Sequence, residues 1–303
     1  MRDEPASAEV LRRIIKEHSR PTAPRPTHVS PSLEPPDESL GAVIFDVYGT
    51  LLVARSGNIG IRTLSKQPHT FVEAVQRAGL GKLTAAQGDT ARQAYFDCIE
   101  ELDESNRSQG REDEEIDIHL VWEAVLRKLR RESELSKETV ERLAVEHEVI
   151  ANPTWPTPGA AEALQALKSR KLRLGIVSNA QFFTPLTVEA LFGRTLGELG
   201  FDPELISFSF EVGARKPSPA VFRPILDRLA ELDKLTPPGV LYIANDVKND
   251  LSPAKEVGMK TCLYAGDTRS LRLRRDEAEQ GANAPDWTIT GFEQILRIVG
   301  SAA

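Results

Sequence analysis

The chain is poor in cysteine and in aromatic residues: Cys98 and Cys262 are its two thiols, and aromatics make up 6% of 303 residues. One thiol falls in an expected helix and the other in an expected strand. That excludes a disulfide framework and favours a reducing cytoplasm. No apolar run approaches the ~18 residues of a membrane span. The N-terminus carries arginines but no apolar core, which argues against a secretory signal, and its acidic residues fit poorly with a transit peptide. Positive charge is in deficit. The net charge of -7 argues against nucleic acid or an anionic membrane as the main partner, but not against a small anionic substrate, whose binding depends on a local field. What is present suffices for a packed core: 40% hydrophobic and 27% charged residues, in a length that holds one large domain or two.

The pattern along the chain changes twice. Residues 8–18 have the spacing of a short amphipathic helix, marginal in isolation. Pro21, Pro24, Pro26, Pro31, Pro35 and Pro36 follow and exclude helix or central strand. Residues 1–40 therefore read as an N-terminal extension with a proline-rich linker, semi-extended and draped over the domain. An apolar strand is expected at about 41–46. From 66 to 150 the spacing is helical: Phe71, Val72, Val75, Ala78 and Leu80, then Ile118, Val121, Trp122, Val125, Leu126 and Leu129. Residues 57–154 are assigned to a helical insertion, with an acidic loop or solvated helix end at Asp103 to Glu115. Pro153, Pro156, Pro158 and Gly159 mark the return. Strands are then expected at Leu172–Val177, Ile206–Phe210, Val240–Ala244, Lys260–Tyr264 and Trp287–Ile289, alternating with helices. Alternation of this kind predicts an α/β fold with a parallel sheet covered on both faces.

Four short motifs follow predicted strands. Asp46 ends the run Ala42-Val43-Ile44-Phe45 and is followed by Gly49 and Thr50. A carboxylate at a strand tip points into the crevice where open parallel sheets bind ligands, a placement that suits a nucleophile. Ser178 and Asn179 follow the next strand and offer a hydroxyl and an amide to an oxyanion, or a helix cap. Lys216-Pro217 offers an ammonium to neutralise a nucleophilic carboxylate and developing negative charge. Asn245-Asp246-Val247-Lys248-Asn249-Asp250 places two acids beyond Val240–Ala244. Magnesium takes oxygen ligands and uses one or two protein carboxylates, and either acid could instead cap the following helix.

Taken in this order, the motifs resemble those of the haloacid dehalogenase-like superfamily of hydrolases, over about 41–56 and 155–295. The resemblance implies a Rossmann-like, doubly wound core made of 41–56 and 155–303, with 57–154 standing where that family carries its helical type 1 cap. It implies covalent catalysis by Asp46, with Thr50, Ser178, Asn179 and Lys216 positioning and neutralising the transferred group. In the phosphatase branch, Mg2+ would be held by Asp46, the main-chain carbonyl of Tyr48 and Asp246. Asp250 would orient Lys216 or a metal-bound water. Asn245 stands where many relatives have an acid. The substrate would be a small phosphorylated metabolite, and cap closure would hinge near Ala54–Gly60 and Pro153–Pro158.

Tyr48 departs from the phosphatase pattern, which has a second aspartate two residues after the nucleophile. A phenol of pKa near ~10 is a poor base at neutral pH. The 2-haloacid dehalogenases carry tyrosine here, need no metal and expel a halide that needs no proton. Against that reading stand Asp246, which would repel a carboxylate substrate, and Phe222, where dehalogenases often show tyrosine. Arg55, Arg62 and Arg77 are the candidates for a substrate-gripping arginine. His69, His119 and His147 are the candidates to replace the missing acid, although surface or structural roles suit each of them better. Trp122 is expected to pack the cap. A third reading is a catalytically weak binding protein.

Overall fold

The computed structural model describes residues 6–34, 36, 39–54, 67–273 and 284–300. The chain begins with α1 (Ala6–His18) and enters the sheet at β1 (Ala42–Phe45). A short strand β2 (Leu52–Ala54) leads to the cap helices α2 (Pro68–Arg77), α3 (Ala85–Ser108), α4 (Ile118–Lys128) and α5 (Lys137–Ala151). Strand β3 (Thr154–Pro156) returns, followed by α6 (Ala160–Ser169), β4 (Arg173–Ser178), α7 (Phe183–Phe192), α8 (Leu196–Leu199), β5 (Phe201–Phe208) and α9 (Ser209–Val212). The chain closes with α10 (Arg223–Asp233), β6 (Val240–Ala244), α11 (Ser252–Glu256), β7 (Lys260–Tyr264), β8 (Trp287–Ile289) and α12 (Ile295–Ile298).

Six strands form one parallel sheet in the order β5-β4-β1-β6-β7-β8. β1 lies between β4 and β6 because the chain winds outward on one side and then crosses to the other. That is the doubly wound order expected from the alternating pattern, and the crevice opens at the switch point beside β1. Every residue of β1 and β6 is buried, as their unbroken apolar runs require of a sheet covered on both faces. Side chains alternate between the two sides: Val43 and Phe45 join one apolar cluster, Ala42 and Ile44 the other. β5 begins at Phe201, earlier than the sequence predicts, and ends at Phe208. The expected residues Ser209 and Phe210 instead open α9.

β2 and β3 pair antiparallel, Val53 opposite Trp155, so the two chain crossings into the cap are hydrogen-bonded to each other. Thr157 adds its N–H to Leu51 O at 2.9 Å and its hydroxyl to Thr50 O. Of the two expected hinge segments, 153–158 lies in this ribbon, and 55–60 lies outside the described residues.

The N-terminal extension is more closely integrated than its proline content suggests. Leu11, Ile14 and Ile15 of α1 are buried in one apolar cluster with cap residues such as Phe71 and Val145 and with Phe183 and Ala190 of α7. α1 thus touches α5 of the cap and α7 of the core, and Arg12 pairs with Glu189 at 2.8 Å. The proline-rich run then follows the sheet edge: Thr27 donates to Ala265 O at 2.6 Å, and Ser32 bridges Thr288. A helix too short to stand alone is held by what it packs against. Ile15→Ala, at a side chain only 1% exposed, is expected to lower stability by about 2–5 kcal/mol in chemical denaturation. A loss below half a kcal/mol (roughly the surface-site scale) would show that α1 is not seated in this cluster.

Candidate active site

Asp46 is the first residue past β1. Its N–H still donates to Ile243 O of β6 at 3.0 Å, which fixes the backbone before the turn. Gly49 then takes φ +82, and a Cβ there would lie 2.7 Å from Asn245 Nδ2. Only glycine lets this turn pass so close to the segment after β6. Thr50 is fully buried and donates its hydroxyl to Asn245 Oδ1 at 3.3 Å, while Asn245 Nδ2 donates to Ser270 O at 2.6 Å. Thr50 and Asn245 therefore lock two loops of the crevice together.

Lys216 is the hub. Its ammonium, on a side chain 3% exposed, lies 2.7 Å from Asp46 Oδ1 and also ion-pairs with Asp250 Oδ1. It donates to the Tyr242 hydroxyl at 2.9 Å, and that hydroxyl donates to Val177 O at 3.0 Å. Asn179 holds the lysine's backbone from both sides, Oδ1 accepting from Lys216 N at 2.7 Å and Nδ2 donating to Lys216 O at 3.1 Å. The amide of Asn179 thus positions the lysine rather than facing open space. Phe222, noted for replacing a tyrosine, packs edge-on against Tyr242 at 5.1 Å. The hydroxyl on the lysine comes from β6 instead. Ser178 is buried and, among the described residues, its hydroxyl donates to Asn179 O at 3.4 Å.

The electrostatics of this cluster are unbalanced. Burial alone would discourage a charged lysine. Asp250 and Asp46 outweigh that and hold Lys216 well above its usual range, so it stays cationic. Asp250 is pushed up to about 7, first by burial and then, against the pull of Lys216, by the charges of Asp46 and Asp246. Two carboxylates, Asp46 and Asp250, thus share one ammonium, and Asp246 acts on Asp250.

A divalent cation suits that excess, and the donors can be checked one by one. The main-chain carbonyl of Tyr48 accepts no hydrogen bond from the described residues. Asp246 Oδ1 takes the N–H groups of Lys248 and Asn249 at 3.0 and 3.1 Å, and Oδ2 takes Asn249 Nδ2 at 2.8 Å. Asp246 therefore caps the turn Val247–Leu251. Asp250 ion-pairs with Lys216, and a direct bond to a cation would need it to leave that ammonium. Among the described residues no group of three or more His, Cys, Asp or Glu stands ready as a metal cage. Magnesium uses one or two protein carboxylates and keeps its waters, so it does not need an all-protein shell.

Tyr48 turns its side chain away from this cluster. Its hydroxyl lies 3.2 Å from Thr184 Oγ1 of α7. Burial, then the charge of Glu148, with Asp46 a smaller contributor, raise its phenol far above the ordinary value. It is no acid or base at neutral pH. The histidines do not fill the gap. His147 is buried among Phe71, Tyr95 and Trp122, and burial lowers it to about 3. His119 pairs with Asp117 at 2.7 Å, which raises it, and His69 is exposed. Trp122 packs the cap core, as expected. Arg77 pairs with Glu73 on its own helix, and Arg55 and Arg62 lie outside the described residues.

Arg215 lies outside the cluster but ties the cap to it. It reaches Asp103 at 3.4 Å and Glu112 O at 2.9 Å, and its N–H meets Asp113 O. Ala214 bridges Glu114 alongside. The acidic stretch read as a solvated loop is therefore zipped, over 112–115, against the residues just before Lys216. The sequence missed Tyr242, which read as strand core.

A family model described as haloacid dehalogenase-like hydrolase matches residues 40–258. The chain belongs to that family. It is 28% identical over 155 residues to a glyceraldehyde 3-phosphate phosphatase of Methanocaldococcus jannaschii, a stretch that is 50% of this chain and 60% of that protein. The chain thus spans less than two thirds of that relative. Among solved structures it resembles an L-2-haloacid dehalogenase from Xanthobacter autotrophicus (20% identity, 84% and 96% of the two chains, TM-score 0.46). It also resembles a HAD phosphatase from Thermococcus onnurineus (18% identity, 84% and 96%, TM-score 0.48). Neither score reaches 0.5, and the choice between phosphate and halide rests on this chain's own residues.

Proposed function

We propose that this protein is a magnesium-dependent phosphatase of a small phosphorylated metabolite, working through a phosphoaspartate at Asp46. The observation that carries the reading is the concentration of acids at the switch point: Asp46 and Asp250 share a single buried ammonium, and Asp246 adds its charge to Asp250. A halocarboxylate would bring further negative charge into that field. A phosphate ester entering with a divalent cation would not. The partial likeness to a phosphatase of a small phosphate monoester agrees with this.

In this reading the Asp46 carboxylate attacks phosphorus, and the bond to the ester oxygen breaks. Lys216 neutralises charge on the phosphoryl oxygens while Asp250 and Tyr242 keep its ammonium aimed. The Ser178 hydroxyl donates to the transferred group, and the Thr50 hydroxyl does so on giving up its bond to Asn245 Oδ1. Magnesium, when bound by Asp46, the Tyr48 carbonyl and Asp246, supplies electrostatic stabilisation of the phosphoryl oxygens. Closure of the cap on the ribbon of β2 and β3 excludes bulk water. The protein works in the cytoplasm on a freely diffusing substrate.

Binding of magnesium to the folded state alone stabilises it, by about 2.7 kcal/mol at a hundredfold excess over Kd. The melting temperature is therefore expected to rise with added magnesium and to stop responding in Asp246→Asn. Phosphate release from small monoesters should need the same ion. Halide release from 2-chloropropionate without metal, with no magnesium-dependent melting shift, would overturn the reading in favour of dehalogenation.

A further inference from the structure

One cap side chain reaches both of the loops that carry Asn179 and Lys216. Ile116 and Ile118, between α3 and α4, are each 2% exposed and sit in the apolar cluster of the cap, so this segment moves with the cap. Glu115, just before them, crosses to the core. Its Oε1 accepts from Gln181 Nε2 at 3.2 Å, and its Oε2 accepts the Ser209 hydroxyl at 2.6 Å. Its N–H donates to Gly213 O at 3.2 Å. Ser209, fully buried, in turn accepts the N–H of Ala180 at 2.8 Å, and Ala180 O, at 3.2 Å, is the longer alternative for its proton. Gln181 completes the join: Nε2 also donates to Ile116 O at 2.9 Å, and Oε1 accepts the N–H of Ile118 at 3.1 Å. Ala180 and Gln181 directly follow Asn179, and Gly213 lies three residues before Lys216. Hydrogen bonds to a carboxylate are stronger than those between neutral groups. Glu115 thus spans the same two loops that the Asn179 amide joins through Lys216.

We propose that Glu115 is a positioning residue of the catalytic centre: a cap carboxylate that clasps the loop of Ser178 and Asn179 to the loop of Lys216, so that the lysine is aimed at Asp46 only while the cap sits on the core. This rests on the reading of Asp46 and Lys216 as the working pair of a phosphatase. Glu115 acts through Asn179, whose amide holds the lysine's backbone from both sides. Moving the cap off the core breaks the bonds to Oε1, to Oε2 and from the N–H together. Each loop then loses a support close to the side chain it carries. A reacting group misplaced by about 1 Å costs on the order of 10²-fold in rate. The clasp therefore links closure to chemistry: the cap that excludes water also sets the lysine.

The test uses the full chain with magnesium and p-nitrophenyl phosphate, with backbone amide exchange followed on the same proteins. Glu115→Ala is expected to lower kcat about 10²-fold with KM little changed, because an aimed lysine counts in the transition state rather than in substrate binding. The amides of Ala180 and Lys216 should exchange faster in this variant. Ser209→Ala removes the Oε2 arm alone and should lower kcat about tenfold, the scale of one hydrogen bond. The two changes together should cost no more than Glu115→Ala alone, because both act through one clasp. Glu115→Gln keeps an acceptor for one arm and sets an amide N–H against the other. It should also lose about tenfold, and it serves if the alanine form does not fold. Wild-type kcat in the folded Glu115 variants, a loss confined to KM, or losses that multiply in the double variant would overturn the clasp. A wild-type protein that releases no phosphate would instead overturn the phosphatase reading. Amide exchange then decides the clasp by itself: faster exchange in Glu115→Ala upholds it, and unchanged exchange overturns it.

Discussion

Asp46→Asn is expected to abolish turnover, by about 10⁶-fold, the scale seen when a hydrolase loses its nucleophile, while the protein remains folded. An amide is nearly the same shape as a carboxylate and cannot form the covalent intermediate. The variant removes one of the two acids paired with Lys216, so the repulsion from Asp46 that helps push Asp250 up is relieved. Melting at or above the wild-type temperature should accompany the loss of activity. Loss of both activity and fold would mean that Asp46 is chiefly a structural counter-ion of the lysine.

Lys216→Met is expected to fail in the opposite way, losing activity and about 3–5 kcal/mol of stability together. That is the range for removing one partner of a buried ion pair and leaving the other charge uncompensated. Here two carboxylates, Asp46 and Asp250, would be stranded. Adding Asp250→Asn to Lys216→Met removes one stranded charge and should restore part of the stability but none of the activity. Urea titrations of the two variants read the difference. If the single variant is as stable as wild type, the hub role of Lys216 is wrong.

Much of the core was legible because parallel strands buried on both faces carry their own signature. Val240–Ala244, Lys260–Tyr264 and Trp287–Ile289 are strands with the bounds their apolar runs predict. The chemistry-bearing side chains were legible for a related reason: an acid or lysine just past a buried strand has few places to go but the crevice. Asp46 and Lys216, 170 residues apart in the chain, meet there.

What was hidden depends on tertiary contact. The start of β5 was missed because Asp202, Pro203 and Glu204 hide an edge strand that pairs only with β4. α1 looked marginal because its partners, α5 and α7, lie far along the chain. The lysine-holding hydroxyl of Tyr242 sits mid-strand, where a tyrosine reads as core.

The most direct measurement is mass analysis of the peptide carrying Asp46, from enzyme quenched in acid during turnover of p-nitrophenyl phosphate with magnesium. One phosphoryl group on Asp46, lost in Asp46→Asn, is the predicted result. An unmodified Asp46 during steady turnover, or a phosphoryl group carried by another residue, would contradict the account.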